Sequence, residues 1–230
     1  MLVTAMALAA LAGSPEYMVT GVVRSQPAGG YIGASATQKL AEDSNWSLGG
    51  YLNYYYYWVD AGVKLDWKYL GGFLYFENWL GFEPGQYVFE GETEERNFGY
   101  RGNARTRITV NYRPSWYWLY SRTTLEGRIR NFTENDIYRD VVLQEELSFE
   151  QATATLFKLS DFGEDSSLWA YGEFTLLTEA SKGILDLRPS GGLMYENIVP
   201  GLTIDLDIYY GLREGILKGL GALIFVWWTI

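Results

Sequence analysis

Over residues 104–113 the chain changes character at every step. Arg105, Arg107, Thr109, Asn111 and Arg113 fall on one parity, and Ala104, Thr106, Ile108, Val110 and Tyr112 on the other. Successive side chains of a strand point to opposite faces, so period two defines a strand with one wet and one apolar face. Past the turn at Pro114-Ser115 the pattern resumes over residues 116–131, where Tyr117, Leu119, Leu125 and Ile129 oppose Arg122, Thr124, Glu126, Arg128 and Arg130. Near the end, Leu202, Ile204, Leu206, Ile208, Tyr210 and Leu212 oppose Thr203, Asp205, Asp207, Tyr209 and Arg213. Strands of soluble sandwiches average about 5 or 6 residues. These runs are two to three times longer and are joined by very short turns.

Such length suits a tilted crossing of a bilayer, which takes about 9 to 11 residues per strand. In hydrocarbon every backbone group must be paired within the protein, and for strands only a closed barrel achieves this. The apolar parity then faces lipid and the charged parity faces a watery lumen. Composition agrees: 19 Tyr, 11 Phe and 9 Trp favour pleated strands over helices. No apolar run reaches the ~20 residues of a transmembrane helix. Aromatic clusters at Tyr54 to Trp58, Trp67 with Tyr69, Trp79 with Phe82, and Trp116 to Tyr120 are expected to form the interfacial girdles.

Runs of strand character fall near residues 16–25, 30–40, 45–58, 60–70, 72–82, 86–91, 98–113, 115–131, 138–159, 167–180, 183–198, 202–213 and 216–230. That is one too many for the even count of bacterial barrels, and 86–91 is the shortest. The expected fold is therefore all-β: a closed antiparallel transmembrane β-barrel of about 12 strands, with 10 and 14 as the neighbouring counts. Residues 1–12, an Ala-rich apolar run ending in Ala10-Leu11-Ala12, read as a signal peptide without its usual basic start. Residues 13–230 then form a single barrel domain, with both ends on the periplasmic side.

At this level the chain resembles the bacterial outer-membrane β-barrels, across nearly its whole length. The most specific likeness lies in the last strand, where Leu220, Ala222, Ile224, Val226, Trp228 and Ile230 place an apolar residue at every second position. Ile224, Val226, Trp228 and Ile230 look like the terminal signal read by the barrel-assembly machinery. Such signals usually end in Phe or Trp, whereas this one ends in Ile230. The resemblance implies a bacterial outer-membrane location, a surround of lipid and lipopolysaccharide, and contact with that machinery during insertion.

Barrel enzymes of this class rely on catalytic histidine. This sequence has neither His nor Cys, and no Ser-x-x-Lys or Gly-x-Ser-x-Gly pattern. No catalytic residues, cofactor or metal are expected. A formal charge of -10 argues against nucleic acid as a partner.

The candidate binding residues are arginines: Arg105, Arg107, Arg113, Arg122, Arg128 and Arg130 share one face of two adjacent strands. Guanidinium forks bind carboxylate and phosphate, so such a strip would lead small hydrophilic, anionic solutes through a passive channel. In the alternative, Glu126, Glu146 and Glu150 satisfy the arginines and close the lumen. The chain is then a structural barrel, a component or docking partner of a larger envelope transport or secretion assembly. Trp116, Trp118 and Tyr120 on the arginine face would narrow the passage. Asp205 and Asp207, two apart on one face, are expected to pair with luminal Arg or Lys, or else to bind a hard cation. Acidic tips at Glu90, Glu92, Glu94 and Glu95, at Glu134 and Asp136, and at Asp161, Glu164 and Asp165 read as solvated loops.

Overall fold

Twelve antiparallel strands run in sequence order and close on themselves. They are β1 (Glu16–Ser25), β2 (Ala28–Lys39), β3 (Trp46–Tyr55), β4 (Val59–Tyr69), β5 (Leu74–Val88) and β6 (Arg96–Tyr112), then β7 (Tyr117–Phe132), β8 (Val142–Asp161), β9 (Ser167–Glu179), β10 (Gly183–Glu196), β11 (Leu202–Gly211) and β12 (Gly219–Thr229). The computed structural model describes residues 14–25, 28–55, 58–88, 96–132, 142–163, 165–180, 183–212 and 219–230. The expected signal peptide and the acidic tips at 90–95 and 134–136 lie outside the described residues.

The expected count of twelve is met because the 86–91 run is not a separate strand. β5 continues through Pro84 and Gly85 to Val88, with Pro84 opposite Tyr100 and Val88 opposite Arg96. Pro and Gly break the alternation and made one strand read as two.

An even strand count returns the chain to its starting rim. There the ladder between β1 and β12 runs past the strand end: Ile230 N–H donates to Tyr17 C=O at 2.9 Å, and Tyr17 N–H donates to Ile230 C=O at 3.3 Å. On this terminal rim the connections are tight. Between β4 and β5, Gly71 and Gly72 take φ of +65° and +94°, values that cost a side chain steric clash. The facing ends of β5 and β6, and of β7 and β8, lie on the far rim.

Apolar side chains cover the outside. Val23, Ile32, Leu52, Leu80, Leu125, Ile208 and Leu220 are exposed on the outward parity of their strands. A water-soluble monomer does not present a continuous apolar surface of this extent. At the terminal rim the belt ends in rings: Trp67 stacks on Trp46 (5.7 Å between centroids) and Tyr69 (5.3 Å), while Trp116 contacts Tyr117 (4.4 Å) and Phe157 (6.4 Å). This is an aromatic girdle.

Three aromatic expectations are corrected. Trp79 lies on the inward parity with Glu77 and Glu83 and packs against cations, not lipid. Tyr55 also faces inward, against Tyr31 at 5.1 Å. Trp116 stands outside on the girdle, 61% exposed, so of the three aromatics expected to narrow the lumen only Trp118 and Tyr120 do so.

Candidate functional site

The lumen is built from the inward parity of every strand, and it divides into a charged wall and an apolar plug. On β6 and β7 the inward set is Arg101, Asn103, Arg105 and Arg107, then Arg122, Thr124, Glu126 and Arg128, brought together by a register in which Arg105 faces Glu126 and Arg107 faces Thr124. Five of the six predicted arginines are thus placed with their partners. Arg130 holds its place in β7 opposite Arg101, but its side chain lies outside the described residues.

Each of the five has a carboxylate. Arg105 Nη2 donates to Glu126 Oε1 at 2.9 Å, and Arg128 Nη2 lies 3.0 Å from the same oxygen. Arg122 Nη2 lies 3.3 Å from Glu150 Oε1, and Arg107 Nη1 lies 3.5 Å from Glu77 Oε2. Arg113 pairs with Glu196. Glu126 and Glu150 are partners the charge pattern suggested. Glu77 and Glu196 were missed, although Glu77 shares the inward parity of β5.

A second network sits beside the strip. Arg101 lies 2.5 Å from Glu83, whose other oxygen accepts from Asn103 Nδ2 at 2.6 Å. Asn103 Nδ2 also donates to Asp60 at 3.2 Å, and Asp60 accepts from Tyr51 Oη at 3.0 Å. Lys64 bridges Asp66 (2.9 Å) and Glu77 (3.1 Å). Trp79 lies among three of the cations, with Lys64, Arg105 and Arg107 at 5.4, 5.6 and 5.0 Å from its ring centre. An aromatic face attracts cations through its quadrupole, so this ring keeps neighbouring like charges close to the wall.

Guanidiniums and carboxylates are not equally placed. The side chains of Arg105, Arg107, Arg122 and Arg128 keep 23, 27, 30 and 29% of their surface open, against 11% for both Glu77 and Glu126. The arginine is the more open partner of these pairs. Glu150, at 31%, is the exception.

Toward the terminal rim the inner wall carries an apolar cluster. Ala154, Leu156, Trp169 and Met194 are buried together, with Trp118, Tyr120, Tyr171 and Trp227 packed against them. Over this cluster Glu196 Oε2 accepts from Ser167 Oγ (3.1 Å) and Trp169 Nε1 (3.2 Å) as well as from Arg113. Toward the far rim, Gly221 lies beneath the buried Tyr209 ring, where an added Cβ would collide with ring carbons.

Asp205 and Asp207 lie on the inward face of β11 beside the Tyr171 hydroxyl, and Ser190 and the charge of Arg188 also reach Asp207. One oxygen of each is buried without a hydrogen-bond partner. Among the described residues no group of three or more metal-ligating side chains gathers.

The predicted assembly-signal residues occupy the outward face of β12. Ile224, Trp228 and Ile230 are exposed, Val226 stands opposite Gly21 of β1, and Trp228 Nε1 donates to Pro200 C=O at 3.2 Å.

The sequence matches no protein-family profile and no curated protein. Solved structures do match. The beta domain of the Bordetella autotransporter BrkA superposes with a TM-score of 0.57 at 12% identity, over 95% of this chain and 100% of that one. The NanC porin superposes with a TM-score of 0.51 at 12% identity, over 93% of this chain and 100% of that one. At such identity the likeness is one of fold. Together with the outward apolar belt and the aromatic girdle, it gives this chain the closed, membrane-spanning β-barrel fold seen in bacterial outer-membrane proteins.

Proposed function

We propose that the chain is a passive channel for small hydrophilic solutes with a preference for anions, lined by Arg105, Arg107, Arg122 and Arg128. One observation carries this reading: in three of the four pairs the arginine side chain is more open than its carboxylate partner. A passing ion therefore meets the positive end of most pairs first. In a narrow, low-dielectric passage that ordering outweighs near-neutrality summed over the wall, because Coulomb energy falls with distance. Arg113 stands at the terminal mouth and Arg130 belongs to the same face of β7. No catalysis is part of this reading, since the chain lacks the His and Cys that would supply a base or nucleophile.

The test is the reversal potential of the refolded protein in a planar bilayer under a salt gradient. The expected sign is that of anion preference. Changing Arg105, Arg107 and Arg122 together to Ala is expected to abolish the preference while conductance persists.

The plug favours a second reading. If Trp169 and its neighbours seal the terminal half, the barrel is a structural component that docks other envelope proteins, and no conductance is measurable. In either reading Ile224, Val226, Trp228 and Ile230 serve as the segment recognised by the barrel-assembly machinery.

A further inference from the structure

The outside of the barrel carries a feature that neither a channel nor a plugged barrel requires. Ser121 and Thr123 of β7, and Gln151, Thr153 and Thr155 of β8, share the outward parity of their strands. They hydrogen-bond among themselves: Thr123 Oγ1 donates to Gln151 Oε1 at 2.5 Å, Gln151 Nε2 donates to Ser121 Oγ at 2.9 Å, and Ser121 and Thr153 hydroxyls meet at 3.3 Å. Along both strands the patch is flanked by exposed apolar residues: Leu119 and Phe157 toward the girdle, Leu125 and Phe149 on the other side. The polar island therefore lies within the apolar belt. On β11 and β12, by contrast, the outward set Leu206, Ile208, Tyr210, Leu220 and Ile224 presents no amide.

Hydrocarbon offers such groups no partner, and each unmet donor or acceptor carries a desolvation cost. A primary amide has two donors and two acceptor lone pairs, and a hydroxyl has one donor and two. Gln151 Nε2 also donates to Ala152 C=O at 3.4 Å, so the internal bonds engage both amide N–H groups but leave acceptor capacity on Gln151 Oε1 and hydroxyl capacity on Thr153.

We propose that the outward face of β7 and β8 is a contact between two copies of this chain within the membrane, centred on Gln151. A second copy is the occupant that this chemistry selects. Every group on the patch is both donor and acceptor and none is charged, so the set complements itself. Across a two-fold axis the Thr153 hydroxyl of each copy can donate to the Gln151 Oε1 of the other, a reciprocal exchange. All copies cross the membrane in the same sense, so the axis runs along the membrane normal and the interface is isologous. The ring of Leu119, Leu125, Phe149 and Phe157 then closes around the polar centre and keeps it dry.

The absence of cysteine makes the test clean. Thr153→Cys and, for an axis displaced by one strand, Ser121→Cys are oxidised separately in native outer membranes. Ile32→Cys, exposed on the opposite wall, is the control. A gel shift on heating reports that each variant is folded. Position 153 or 121 is expected to yield a covalent homodimer at least tenfold more than position 32. Adding Gln151→Leu, a change that hydrocarbon favours in a lone barrel, is expected to lower that yield about tenfold. Cross-linking at neither site, equal cross-linking at Ile32→Cys, capture of a different protein, or indifference to Gln151→Leu would each overturn the proposal.

Discussion

Arg113 and Glu196 meet across the terminal mouth of the barrel, 83 positions apart in the chain. The guanidinium also lies over the Trp118 and Trp169 rings, at 4.6 and 5.0 Å from their centres, so one ion pair holds the lid of the aromatic plug.

This arrangement predicts what sets the narrowest point. Trp169→Ala removes the largest buried side chain of the plug, and is expected to cost about 3–5 kcal/mol of stability and to raise single-channel conductance severalfold. Glu196→Gln keeps the size of the side chain but loses the charge, and is expected to increase open-channel noise with a smaller change in mean conductance. Planar-bilayer recordings check both. Unchanged conductance in Trp169→Ala places the constriction elsewhere.

Glu83 and Arg101 form a buried pair, with 3 and 9% of their side-chain surfaces open. Removing one member of such a pair leaves the other charge without compensation, at a cost of about 3–5 kcal/mol. Glu83→Ala is expected to show a loss of that order in urea titrations of the refolded barrel. Replacing Glu83 and Arg101 together by Gln and Met is expected to recover most of it. A double variant no better than the single one contradicts the assignment of the loss to the stranded charge.

Ionic strength separates a field effect from a size effect. The screening length shrinks from about 10 Å at 0.1 M salt to about 3 Å at 1 M. Anion preference that arises from the luminal arginines is therefore expected to be strong at 0.1 M and to fade by 1 M, measured by reversal potentials at a fixed concentration ratio. Preference independent of salt points to a steric filter instead.

Gly221 gives the Tyr209 ring its place in the lumen. Gly221→Val is expected to lower the folded fraction on refolding in detergent, read by the heat-dependent gel shift. Adding Tyr209→Ala is expected to restore it by vacating the collision.

Much of this was legible in the alternation alone. The inward parity of Arg105, Arg107, Arg122 and Arg128, and the outward parity of Ile224 and Trp228, follow from period two, because a strand has only two faces. Partner identity was not legible to the same degree. Which carboxylate meets Arg107 depends on the register of β5 against β6, and alternation fixes the face of a residue but not its partner along the neighbouring strand. Trp79 was misread for a related reason: its nearness to Phe82 in sequence suggested a girdle, yet three positions along a strand put two residues on opposite faces. Parity with Glu77 was the better signal. The outward polar patch drew no notice because Ser121, Thr123, Gln151 and Thr153 are unremarkable until pairing sets them side by side.

The order of the strands leaves one join unlike the rest. Eleven of the twelve pairings link neighbours along the chain, whereas β1 finds β12 only across nearly its full length. Loop closure grows costly with chain separation, so the entropy of making a cylinder is concentrated at the Tyr17–Ile230 ladder. An open, curved ribbon can form hairpin by hairpin, but its two edges stay unpaired until the last residue arrives. The seam is thus where assembly finishes, and where an incomplete chain remains exposed to pairing with the wrong edge.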